Sequence, residues 1–79
     1  MVKHILQIIK RDLERFINLK EVDALNPLTI HFQICLYIRN KYLWEKPKTV
    51  KILNSYFHSE HIDDLSHMIL NEIKKEDFF

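Results

Sequence analysis

The sequence predicts an all-α fold: a compact bundle of about four helices forming a single domain over 1–79. Three observations carry that expectation. Apolar residues recur at three- and four-residue steps from the N-terminus, both prolines stand where a helix would begin, and the 79 residues include no glycine. Glycine supplies the positive φ of tight hairpin turns, so a chain without it has few ways to pair strands.

The first element is an amphipathic helix over 2–20. Val2, Ile5, Leu6, Ile9, Leu13, Phe16 and Ile17 fall on one face, with Lys3, Gln7, Lys10, Glu14 and Asn18 on the other. Its cations Lys3, Lys10, Arg11 and Arg15 also fit a membrane-surface helix. Asp12 and Glu14 dilute that charge, and a small bundle needs the apolar stripe for its core. A short connection follows over 19–25, under which Val22 and Leu25 are expected to tuck.

The next segment, TIHFQICLYIR, alternates apolar and polar residues as a strand would. Asn26 and Pro27 outweigh that signal, because a capping amide followed by proline at the first helical position is a helix start. On a helix, Leu28, Phe32, Cys35, Ile38 and Tyr42 share the buried face, flanked by Ile30 and Ile34. Gln33, Tyr37, Asn40 and Lys41 take the opposite one. Pro47 opens a third helix over about 48–58, with Val50, Leu53, Tyr56 and Phe57 inward. The fourth is expected to start at Asp63, whose carboxylate would cap free N–H groups, and to bury Leu65, Met68, Ile69 and Ile73. Phe78 and Phe79 end the chain, either docked or as an apolar tail.

Composition removes several function classes. The longest uninterrupted apolar run is five residues, Ile34 to Ile38, where a membrane span needs about 20. The N-terminus lacks the apolar core and small-residue cleavage site of an export signal. The single cysteine, Cys35, fits a reducing compartment, so a cytoplasmic location is expected. Phosphate-cradling loops and dinucleotide turns need glycine and are excluded. No cofactor is expected.

The net charge of +1 conceals segregation. The segment RNKYLWEKPKTVK, residues 39–51, carries five cations against Glu45 alone. Residues 60–77 carry six carboxylates against two lysines. In the basic segment Tyr42 and Trp44 interleave with Arg39, Lys41, Lys46, Lys48 and Lys51. Rings that stack beside cations that neutralise phosphate or carboxylate suit a single-stranded nucleic acid or an acidic protein groove. The structural alternative is that Trp44 anchors the core while the lysines are solvated. The acidic helix is read as a solvated face.

Catalytic groups do not assemble in the sequence. His58, His61 and His67 lack a second cysteine or matching ligand pair, so a metal site is not expected, and His4 stands apart. Cys35 with His31 four residues earlier has the spacing of a thiol–imidazole pair. Its place on the buried face makes it a core thiol.

The segments IRNKYLW and HIDDLSHMIL resemble a family of short, uncharacterised bacterial helical domains. The shared core lies at Ile38, Arg39, Asn40, Leu43, Trp44, Asp63, Asp64, Leu65 and Ser66, and the likeness covers roughly 26–73. Tyr42 stands where the family has glycine, and Ile62 where it has proline. The resemblance implies an all-helical fold, no known activity, and an ion pair from Arg39 to Asp63 or Asp64 tying the second helix to the fourth.

The resulting expectation is a non-enzymatic interaction module that inhibits a larger bacterial effector, such as a nucleic-acid-handling defence nuclease, in the manner of an anti-CRISPR, antitoxin or immunity protein. The contact residues would be Arg39, Lys41, Tyr42, Trp44, Lys46, Lys48 and Lys51. The alternative is direct RNA or DNA binding by the same segment, and a third reading is a homodimer that completes a small core.

Overall fold

The computed structural model describes residues 2–75, and every element in them is helical. Helix α1 spans Val2–Glu14, and a 3-10 stretch spans Leu19–Ala24. A continuous helical run, α2, occupies 27–43. Helix α3 is Pro47–Phe57 and α4 is Ile62–Ile73. The expected tail residues Phe78 and Phe79, with Glu76 and Asp77, lie outside the described residues.

α1 stops six residues short of the expected end. Asn18 intervenes with extended backbone, its side-chain oxygen accepting from Lys20 N at 3.0 Å, which starts the 3-10 stretch instead. Leu6, Ile9 and Leu13 are buried, while Phe16 is exposed and meets Tyr37 edge to face at 5.1 Å. Val22 is buried as expected, but Leu25 is 40% exposed.

Asn26 and Pro27 start α2 as the sequence indicated, with Asn26 Oδ1 accepting from Leu28 N at 2.8 Å. Two wide turns interrupt its α geometry: Ile30–Cys35 and Arg39–Leu43 are π-helical. This rotates the buried face away from the expected one. Ile34, Cys35, Ile38 and Leu43 are buried, whereas Leu28 is 66% and Phe32 59% exposed. The step from Ile38 to Leu43 is five residues, and the π turn between them, with its i→i+5 hydrogen bonds, keeps both on the buried face. Tyr37, expected outside, packs against the core.

α3 contributes Leu53, with Val50 and Phe57 partly buried and Tyr56 exposed. α4 starts at Ile62 rather than Asp63. His61 precedes it without a side-chain cap, so Asp63 is not the cap but a carboxylate in the first turn. Leu65, Ile69, Leu70 and Ile73 complete the core, and Met68 is 37% exposed. Ser66 is buried among them, its hydroxyl donating to Asp63 O at 2.7 Å. No helix among the described residues is long and apolar enough to cross a membrane.

Candidate functional site: an exposed tryptophan on a basic turn

The chain between α2 and α3 reverses over 43–46. Lys46 N donates to Leu43 O at 3.1 Å, with Trp44 at φ −64°, ψ 125° and Glu45 at φ 57°. Those angles describe a type II turn, which demands positive φ at its third residue and favours glycine there. This chain places glutamate at that position, at a steric cost of about 1–2 kcal/mol. Trp44 occupies the corner, half exposed at 50%. The core-anchor reading of this tryptophan is therefore wrong.

Arg39 fixes the ring. Its guanidinium carbon lies 4.7 Å from the Trp44 centroid, and its Nε lies 3.0 Å from Asp63 Oδ1 in α4. The Asp63 contact is an ion pair and not a hydrogen bond, since the buried Nε–H finds no acceptor along its axis. Nη1 donates to Asn40 Oδ1 at 3.0 Å. The pairing implied by the resemblance is thus present, and it does more than tie two helices: it holds the cation that covers Trp44.

Beyond the turn, Lys46, Lys48 and Lys51 are exposed and have no ion-pair partner among the described residues. Lys48 and Lys51 share a face of α3. Lys46 and Lys48 crowd the positive end of the helix dipole, whose first turn holds no acidic residue and whose N-cap makes no side-chain hydrogen bond. Helix stability alone disfavours that placement.

Lys41 and Tyr42 do not join this surface. They turn toward α1, where Asp12 Oδ2 accepts from Tyr37 Oη at 2.8 Å, Lys41 Nζ at 2.8 Å and Tyr42 Oη at 2.6 Å. Lys41 Nζ also donates to Tyr37 Oη at 3.1 Å. The hydrogen bonds from Lys41 and Tyr42 hold the Asp12 carboxyl down to about 2 against the opposing effect of burial. Burial, helped by the Asp12 charge, pushes the Tyr42 phenol up to about 12. The seven residues expected to form one surface therefore form two groups.

The second helical seam holds a cluster that the sequence scattered. His31 Nδ1 and His67 Nε2 lie 3.0 Å apart with stacked rings, and His67 Nδ1 lies 3.5 Å from Cys35 Sγ. His67, not His31, is the imidazole beside the thiol. Because the two nitrogens of His67 face opposite partners, the three groups form a chain and do not converge on one ion. No group of three or more metal-ligating side chains among the described residues is arranged to hold a metal. Burial pushes the Cys35 thiol up to about 11, against a weaker pull from Lys74, so no thiolate nucleophile is available near neutrality.

No family model, curated protein or solved structure matches the chain.

Proposed function

We propose that the protein is a non-enzymatic docking module that grips an acidic surface of a larger protein through Trp44 and the adjoining lysines. The observation that carries this reading is the half-exposed Trp44, held at the corner of a strained turn and covered by an anchored Arg39. Tryptophan and arginine are the side chains most enriched among residues that dominate binding energy. A ring already stacked against a guanidinium has less freedom to lose on docking. Strain retained in the turn beside it fits a conformation selected for presentation rather than stability. Lys46, Lys48 and Lys51 supply unmatched positive charge next to the anchor, which favours carboxylates opposite.

The same exposed ring and lysines would serve a single strand of nucleic acid, with a base on Trp44 and phosphates on the lysines. Glu45, Asp63 and Asp64 argue against it. All three are exposed; Glu45 adjoins Lys46 and Asp63 pairs with the Arg39 that lies over the ring, which opposes a continuous polyanion more than a protein face of mixed sign. Binding to a short oligonucleotide across a salt series tests this: nucleic-acid recognition predicts affinity that falls steeply with salt. The docking reading predicts weak binding that Trp44→Ala leaves unchanged.

A further inference from the structure

We propose that a separate cleft, between α1 and the last turn of α2, binds a small soluble phosphomonoester. It is a shallow cleft, widely open to solvent, with a volume of about 340 Å³, lined by Ile8, Arg11, Asp12, Arg15, Lys41 and Tyr42. That volume is at the small end of ligand-binding clefts and suits a phosphate with one ring or sugar attached.

The charge arrangement carries the inference. Arg11 and Arg15 lie four residues apart on one face of the chain as α1 ends, both exposed, with no partner among the described residues. Like charges at this spacing repel, and the natural counter-ion is at hand: Asp12 neighbours Arg11 and lies one helical turn from Arg15. It pairs with neither. Its Oδ2 is taken by Tyr37, Lys41 and Tyr42, so the one carboxylate in the cleft is spent on the second helix. Two guanidinium groups are left without an anion.

A phosphomonoester dianion supplies two negative charges and three terminal oxygens, any two of which a planar guanidinium fork can meet with paired hydrogen bonds. The Tyr42 ring and the half-exposed Ile8 offer an apolar wall for the organic part. Tyr42 is fixed for that purpose by its hydroxyl on Asp12. This site is independent of the Trp44 surface, and either can fail alone.

The test is amide-shift titration by NMR with phenyl phosphate, with inorganic phosphate as the minimal ligand and phosphatidic-acid vesicles as a lipid source of the same headgroup. The expected result is saturable shifts centred on Arg11, Arg15, Lys41 and Tyr42, tighter for phenyl phosphate than for inorganic phosphate. Arg11→Gln and Arg15→Gln should each weaken binding about tenfold. Both arginines also complement the dipole at the end of α1, so thermal unfolding is measured alongside to separate a stability role from a binding one. Trp44→Ala should bind phenyl phosphate as the parent does. Shifts that stay linear and spread over all lysines, an unchanged response in both arginine variants, or binding to the vesicles without any response to phenyl phosphate would each overturn the proposal.

Discussion

The guanidinium of Arg39 lies 4.7 Å from the centroid of the Trp44 ring and is anchored from behind by Asp63 at 3.0 Å. Five residues separate Arg39 from Trp44, and the π-helical turn between them brings the two side chains together: Trp44 N donates to Arg39 O at 2.7 Å, closing that wide turn. An ordinary α turn would close one residue earlier and aim Trp44 elsewhere.

Arg39→Ala therefore tests the anchor. The Asp63 pair is part exposed and worth about 0.5 kcal/mol, and the cation over the ring adds about 0.5–1 kcal/mol. The combined loss of about 1 kcal/mol should lower the melting temperature by about 4–8 °C. Tryptophan emission should shift as the ring loses its cover. A variant with the parent's melting temperature and emission spectrum would show that the anchor contributes nothing.

Asp12→Asn removes the negative charge from the acceptor shared by Tyr37, Lys41 and Tyr42. A carboxyl lowered from its usual value to about 2 contributes stability that is complete above about pH 4 and lost as pH falls through about 2. Because its partner Lys41 is half exposed, solvent screening holds the contribution at neutral pH to about 1 kcal/mol. Unfolding measured from pH 7 to pH 2 should show the parent losing that amount over the acid limb. The asparagine variant should start lower and lose less.

Glu45 and His58 both sit at φ 57°, in the left-handed region that glycine occupies without steric penalty. Glu45→Gly and His58→Gly should each raise stability by about 1 kcal/mol in chemical denaturation, the relief exceeding the added chain entropy. Glu45→Gly should at the same time weaken partner binding, because it frees the turn that presents Trp44. A stabilised variant with undiminished binding would separate the strain from function.

Cys35 should react with a thiol reagent only after unfolding. The side chain is fully buried and its thiol is pushed up to about 11, so the native protein at pH 8 offers neither access nor thiolate. His67→Ala removes the imidazole that lies against the sulfur and should accelerate modification. Immediate reaction of the native parent would contradict the packing of this seam.

Much of this was readable from local chemistry. Asn26–Pro27 and Pro47 marked two helix starts because capping and the fixed φ of proline act within a few residues. The π turns of α2 were not readable, since they follow from how Ile34, Ile38 and Leu43 pack against neighbouring helices, and periodicity analysis presupposes the α repeat. The misplaced burial of Leu28 and Phe32 follows directly from that. The basic segment was legible as composition but not as geometry: Lys41 and Tyr42 are committed to Asp12, 29 and 30 residues away in sequence. Arg11 and Arg15 were visible at helical spacing. Their lack of a counter-ion was not, because it depends on where Asp12 points. His67 could be associated with Cys35 only once α2 and α4 were packed together.

The central claim, that Trp44 and its lysines dock onto a protein, is tested most directly by quantitative affinity isolation with four proteins. These are the parent, Trp44→Ala, the triple variant Lys46→Glu, Lys48→Glu, Lys51→Glu, and the cleft variant Arg15→Gln, each run with and without nuclease. The account predicts one dominant partner that survives nuclease, is retained by Arg15→Gln, and is lost with Trp44→Ala and with the triple variant while both stay folded. Recovery that disappears with nuclease, or a partner held equally by Trp44→Ala, would contradict it.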